Sequence, residues 1–456
     1  MKMKIKTDKT NQKTMSHRLS ILGLLWLLVP ISLVAQEDPM TFTLEEALNY
    51  ATENAYQTKS ADYDIDAARK KVWEYLALGL PQLNMEGGLS DNLSIQENFI
   101  QLTNEKGEVE TIKAQFGTKY SWNVGGKASQ LIFDGSYFLG VKASRIFVEL
   151  SQKNKEKTLV DVREAVAQAY YLALIAYQNL ENFKQNLKVN EQTLTETAAY
   201  YKNGFREEID VDQIRLMVNT SKNLVLEAER QLIISESVLK FAMGIDINSP
   251  IALADNLDIL LLPVQTKQNA KDSFRVESHI DYAIMQTQEA IQDVKIRNEQ
   301  AQYLPKLSAF YSYTHFQMGE EFDALNKTNS QILGLSLSMP IFTSGMRHSK
   351  VKQEKINMLK LQNDKIMLEQ NLQREVLVAN TNLTNARETY QNDKLGVDIA
   401  YNIYDKTRIK FSNGLASSTE LSQNENQYIQ SQVKYIESTM NMLNAHIQYK
   451  KAISQL

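Results

Sequence analysis

The sequence has 456 residues, 50 basic against 54 acidic side chains, a formal net charge of -4 and no cysteine. That near balance excludes a dedicated nucleic-acid binder, whose charge would be clearly basic, and the missing cysteine excludes structural disulfides and thiolate metal sites. With 43% apolar and 23% charged residues, the chain is rich enough in apolar side chains to be ordered and too polar for a conventional multi-helix membrane protein.

Lys2, Lys4, Lys6, Lys9, Lys13 and Arg18 precede an apolar run from Ile21 to Ala35. A basic region, a short apolar core and a small terminal residue are the parts of a secretory signal, so residues 1–35 are read as a signal peptide cut after Ala35. The other reading, a retained anchor helix, needs a longer apolar core. Next, Thr43 with Glu46 three positions on predicts a capped helix running to about Ala77. Pro81 ends it. Leu83, Met85 and Gly87 then alternate with polar partners, a long polar loop follows, and Tyr120, Trp122, Val124, Gly126 and Ala128 alternate in turn. Period-2 alternation predicts two half-polar strands, closed at Phe133-Asp134-Gly135.

The stretch from Val141 to Tyr201 has neither proline nor glycine in its interior. Leu159, Val162, Val166, Ala169, Ala173, Ala176, Leu180, Phe183, Leu187 and Leu194 recur at steps of three and four, with Asn190 filling one polar position, which is the seam of a coiled-coil helix. Sixty-odd residues at about 1.5 Å each reach on the order of 90 Å, far beyond an ordinary globular helix. Asn203-Gly204 ends the run with a pair that tolerates left-handed backbone. The seam resumes at Ile214, Val218, Ser221, Val225, Ala228 and Leu232, so a long antiparallel hairpin is predicted.

The second half repeats this order. A helix from about Ser273 to Ala301 ends at Leu304-Pro305-Lys306-Leu307, answering Leu80-Pro81-Gln82-Leu83. Strands follow at Leu307 to Tyr313 and at Leu333 to Met339. Pro340, Phe342 and Gly345 mark their exit, and a second long helix runs to Asn413-Gly414. Asp210-Val211 answers Glu420-Leu421 and Gln213 answers Gln423, all at one offset. The chain therefore divides into residues 36–248 and 249–456, two copies of helix, strand pair and long helical hairpin. Four strands do not close a barrel alone, and an open edge in lipid is forbidden because its amides would go unsatisfied. Three chains would close a twelve-stranded barrel; the competing soluble reading makes the strands a small sheet capping a helical rod.

No chemistry stands out. His17, His279, His315, His348 and His446 have no metal-like partner spacing, no phosphate-binding Gly-rich loop is present, and no serine sits in a nucleophile setting. The chain is read as a non-enzyme without cofactor or metal. Arg206, Glu207, Glu208, Asp210 and Asp212 follow the first turn more densely than a turn needs, and Glu420 is the matching acid in the second. They are candidate gate or lumen charges, or else a solvated helix start whose acids suit the helix dipole.

These residues together resemble the TolC-like outer-membrane efflux protein family. The resemblance rests on the duplicated helix-strand-strand-helix order, the Leu-Pro-x-Leu strand entries, and the exits Ile132-Phe133-Asp134-Gly135 and Ile341-Phe342-Thr343-Ser344-Gly345. Tyr201-Lys202-Asn203-Gly204-Phe205 and Lys410-Phe411-Ser412-Asn413-Gly414-Leu415 complete it, and it covers about residues 42 to 450. The first exit departs by lacking a counterpart of Pro340. The resemblance implies a mainly α fold with a membrane β-barrel: a homotrimer whose twelve-stranded barrel sits in outer-membrane lipid above a hollow periplasmic helical barrel. It implies a passive exit duct fed by an inner-membrane pump through a periplasmic membrane-fusion adaptor. It places Asn203, Gly204, Phe205, Asn413, Gly414 and Leu415 at the periplasmic tip, where the adaptor docks, and Pro81, Phe133, Gly135, Pro305, Pro340, Phe342 and Gly345 at the strand boundaries. The competing function is a periplasmic coiled-coil structural or adaptor protein without a pore, although such a protein would carry a compact β-rich domain beside one hairpin.

Overall fold

The computed structural model describes residues 40–103, 107, 109–265 and 274–456. The expected signal peptide lies outside these residues, and the helix expected from about Ser273 begins only at Ile280, where His279 caps it after a 3-10 turn. Two very long helices dominate: α3 (Gly135–Lys202, 68 residues) and α7 (Met346–Ser412, 67 residues). At about 1.5 Å per residue each reaches roughly 100 Å. Each reverses at a tight turn into a shorter partner, α4 (Glu208–Met243) and α8 (Ser418–Ala452). α2 (Tyr56–Ala77) lies along the strand-side half of α3, and α6 (Ile280–Ala301), preceded by a 3-10 turn at Val276–Ser278, lies between α3 and α7.

The short helices are laid end to end beside the long ones. Gly244 closes α4 in the left-handed region (φ 77°), and its Cα lies so close to the Asn54 carbonyl that a side chain would collide with it. Tyr56 at the start of α2 packs its ring 6.0 Å from that of Phe241. One lane thus runs α4 then α2 along α3. The joint is enclosed by α1 (Leu44–Asn54), the start of the helix expected from Thr43, and by three elements the sequence pattern does not reveal: β1 (Met40–Phe42), β6 (Ile251–Leu253) and α5 (Leu257–Gln265). β1 pairs in parallel with β6, tying the two halves of the chain together. Thr43 caps α1 in a full capping box with Glu46. The helix expected to run unbroken from there to Ala77 is broken at Ala55, whose extended backbone (φ -57°, ψ 142°) turns the chain from α1 into α2. Ala55 is fully buried where α4 ends, so tertiary packing makes this corner and no proline or glycine announces it.

Around this joint lies the largest core, with Val166, Tyr170, Ala173, Leu239, Met243, Leu383, Met442 and Leu443 all buried. The Tyr170 hydroxyl reaches the Phe42 carbonyl at 3.0 Å and Asp255 at 2.8 Å, so the one polar atom of a fully buried ring is satisfied.

At the opposite end from the turns, β2 (Gln82–Asp91), β5 (Tyr120–Phe133), β7 (Lys306–Gly319) and β8 (Asn326–Ser338) form one antiparallel sheet in the order β2-β5-β7-β8. Its register puts Leu83, Met85, Tyr311, Tyr313, Leu333, Leu335 and Leu337 on one face. Asn84, Glu86, Asn123, Lys127, Ser308, Ser312 and Ser336 share the other, beside Phe310 and Phe316. The apolar face is bare: Leu83 is 80% and Leu333 81% exposed in the single chain. The stretch expected as a polar loop holds instead a hairpin, β3 (Glu97–Thr103) and β4 (Val109–Gln115). Its apolar residues keep no strict alternation, since Phe99 and Ile100 stand side by side, and cross-strand pairs make it: Ile100 opposite Ile112, and Lys113 over the Phe99 ring at 5.8 Å while pairing with Glu97 at 3.4 Å. Among the described residues no helix is long and apolar enough to cross a membrane.

Strand meets helix by two different devices. Pro81 and Pro305 directly precede β2 and β7, and each disfavours helical backbone at the leucine before it, Leu80 or Leu304, so the helix stops short of it. At the first exit Asp134 caps α3, its carboxylate accepting from Ser136 N at 2.8 Å and pairing with Lys306 at 3.3 Å. At the second, beyond Pro340 and Phe342, Ser344 and Gly345 turn through positive φ (48° and 82°) into α7. A capping carboxylate thus does at Asp134 what proline and glycine do at the other exit.

Candidate docking and gating site at the hairpin tips

Both hairpins turn in the same way. Asn203 ends α3 and Gly204 adopts φ 77°; Gly204 N donates to Tyr201 O at 2.9 Å and Phe205 N to Tyr200 O at 3.0 Å. Gly414 adopts φ 78°, Gly414 N donates to Phe411 O at 3.0 Å, and Leu415 N to Lys410 O at 2.8 Å. This paired pattern is the Schellman motif, which satisfies the last carbonyls of a helix and requires left-handed backbone at the glycine. The two asparagine side chains add a bond each, Asn203 to Ala199 O and Asn413 to Ile409 O. In most such motifs the residue after the glycine packs back on the helix. Here it does not: Phe205 and Leu415 are each 78% exposed.

The polar residues behind the turns fall into two groups. Arg206 and Asp210 point inward, with side chains 13% and 17% exposed and an ion-pair distance of 3.9 Å. The Arg206 guanidinium lies 4.1 Å from the centre of the Phe411 ring and donates to the Phe411 carbonyl, so the first tip grips the C-terminal end of α7. A cation there also meets the negative end of the α7 dipole. Glu207, Glu208, Asp212 and Glu420 face solvent, Asp212 paired with Arg215. Arg206, with Asp210 beside it, thus straps one hairpin to the other, and the four exposed acids lie at the surface. A groove of about 750 Å³ runs between the tips, lined among others by Gly204, Phe205, Glu207, Gly414, Leu415 and Glu420. The strand-boundary residues lie a full long-helix length away.

Sequence reasoning did not find Phe411 as the ring beneath Arg206, because a contact between residues so far apart in sequence leaves no local spacing. The histidines occupy separate environments. His279 caps α6 by accepting from Asp281 N at 3.2 Å, and burial lowers its basicity. His446 is pushed down to about 4, by burial first and then by Lys450 and Arg387. His315 sits in the sheet 2.6 Å from Asn329, and His348 is exposed. Among the described residues no three His, Asp or Glu side chains converge as a metal site.

The family model described as Outer membrane efflux protein matches residues 47–245 and 278–454. A search of curated proteins returns no match. Among solved structures, the fold is similar to CusC (TM-score 0.68, 17% identity, covering 90% of this chain and 91% of that one). It is similar also to the CmeC outer membrane channel of Campylobacter jejuni (0.64, 17%, 90% and 85%). A third likeness is to the open state of the MtrE outer membrane channel of Neisseria gonorrhoeae (0.64, 16%, 90% and 88%).

Proposed function

The chain belongs to the TolC-like outer membrane efflux protein family, and on that premise we propose that three copies close into one duct whose tips dock a periplasmic adaptor. Members of this family are outer-membrane channel components of tripartite efflux or secretion systems, passive conduits with a long periplasmic helical extension, and so is this protein. The observation that carries the trimer is the sheet. Among the described residues β2 and β8 each have an unpaired edge, one face is apolar and the other largely polar, and an edge left open in lipid is not tolerated. Strands of 10 to 14 residues, tilted by about 40°, cover roughly 25 to 35 Å at about 3.3 Å per residue, enough for the apolar band of an outer-membrane barrel. Pairing β8 of one copy with β2 of the next gives twelve strands, with Leu83, Leu333 and Leu337 toward lipid and Asn84, Lys127 and Ser312 toward water. The halves 36–248 and 249–456 serve as two quasi-equivalent staves of each protomer.

At the other end, Phe205 and Leu415 are the apolar contacts offered to the adaptor, and Glu207, Glu208, Asp212 and Glu420 ring the opening three times over. An inner-membrane pump supplies the energy. Mass measurement in mild detergent is expected to give three mature chains; a monomer stably inserted in outer membrane would overturn the closed trimer. Cysteines at Asn203 and at Asp323, in the β7–β8 turn, check orientation. A membrane-impermeant thiol reagent on intact cells is expected to label the second and spare the first, and the reverse would refute it.

A further inference from the structure

Roughly two to four turns behind the tips, four helices meet at a polar node in an otherwise apolar seam. Asn190 of α3 is 1% exposed; its side-chain nitrogen donates to Ser221 Oγ of α4 at 2.8 Å and to the carboxyl group of Glu425 on α8. The Tyr404 hydroxyl of α7 donates to Asn190 Oδ1 at 3.5 Å, and its ring stacks on Tyr428 with centres 5.6 Å apart. One turn on, Gln432 donates to the Tyr428 hydroxyl at 2.7 Å and accepts from Asn186 at 3.3 Å. Glu425 is 5% exposed, the one acid so deeply buried among the described residues.

We propose that Glu425 is a proton-operated lock between the two hairpins: the neutral acid holds α8 against α3 and α4, and loss of its proton loosens that packing and lets the hairpins part. The physical reason is the company it keeps. Its carboxyl group meets an amide and no cation, so the ionised form is a buried charge without a partner, whereas the neutral acid still accepts from Asn190 and has a proton to donate. Burial raises the Glu425 carboxyl to about 7, against the lowering effect of the Asn190 bond.

The groups around it do not supply the missing charge. From α7, Tyr404 is held above the ordinary phenol value by burial, and Arg408 is held to Asp405 at 2.7 Å, a bond that raises its basicity and keeps it charged. On α8 itself Tyr428 is likewise raised by burial. From α3 and α4, Glu191 and Lys222 pair with each other at 3.5 Å on the half-exposed surface. An acid whose folded value is raised keeps its proton where the separated state has lost it. Packing is therefore strongest below the ordinary value of 4.5 and weakens as pH climbs to about 7, by up to about tenfold in the separation equilibrium per pH unit.

The test is amide hydrogen exchange on the full-length protein in detergent, from about pH 5 to about pH 8, corrected for the intrinsic pH dependence of exchange. Protection of the segments around Asn190, Ser221 and Glu425 is expected to fall by about tenfold per unit between about pH 5 and pH 7, while the core around Tyr170 stays flat. Glu425→Gln keeps the acceptor for Asn190 and removes the ionisation, so its protection is expected to be high and level. An equal slope in Glu425→Gln would overturn the lock. Should that variant fail to fold, the wild-type profile decides alone: a flat node, or a slope shared with the Tyr170 core, would overturn it.

Discussion

The two tips are built on the same turn and differ in what stands behind it. Both have an asparagine cap, a left-handed glycine and an exposed apolar residue at 78% exposure. In the first tip the next residue is Arg206, which leaves its own hairpin to hold Phe411; in the second the matching residue is Ala416, buried, followed by Ser417, whose side chain caps α8 by accepting from Glu420 N at 3.1 Å. The first helix start has no such bond, since Glu207 makes no side-chain cap. A shared turn thus carries two divided tasks: one tip clamps, and the other is clamped and capped.

The comparison is broken most strongly at Arg206. Arg206→Ala removes a charged hydrogen bond, a ring stack and the Asp210 pair together, and is expected to cost about 2 to 3 kcal/mol of contact between hairpins. Amide exchange in residues 408–415 reads it; a second tip that stays fully protected would show the clamp to be idle. Arg206→Lys, which keeps charge without the flat stacking surface, is expected to recover only part.

Gly204→Val and Gly414→Val sharpen the likeness instead. Neither glycine has any neighbour within 4 Å of where a Cβ would stand, so the whole penalty is left-handed backbone, about 1 to 2 kcal/mol and equal at both sites. Thermal unfolding of the two variants in detergent measures it, and clearly unequal losses would mean that surroundings and not φ set the turn. Smaller still, Ser417→Ala is expected to cost about 1 kcal/mol and Glu207→Ala a few tenths, because only the first of these loses a cap. Similar losses in denaturant titrations would erase that distinction. Least of all for folding, Phe205→Asp with Leu415→Asp is expected to shift stability within about 0.5 kcal/mol, yet to abolish cross-linking to the adaptor and resistance to exported compounds. A correctly inserted double variant with unchanged export would leave these residues a purely structural role.

Features that a short-range rule governs are legible in the sequence. The Thr43 capping box, the left-handed glycines and the strand alternation of Leu333 to Leu337 each depend on neighbours within a few residues, and each stands as the spacing predicts. The strand exit at Phe133-Asp134-Gly135 marks where the long helix follows, and it begins at Gly135 itself, where Asp134 supplies the cap. The β3–β4 hairpin is not legible in the sequence because Phe99 next to Ile100 breaks the period of two, and cross-strand pairs rather than an apolar face hold it.

By itself, then, the sequence determined the long helices, where they reverse and which strand face is apolar, since all of these follow from periodicity and turn chemistry. Tertiary structure alone decided the rest. That α4 abuts the α1–α2 corner, that β1 finds β6, that Arg206 reaches Phe411 and that Asn190 meets Glu425 are pairings across long stretches of chain. A residue's type tells what such a partner must offer; only the packing of the helices brings the partner within reach.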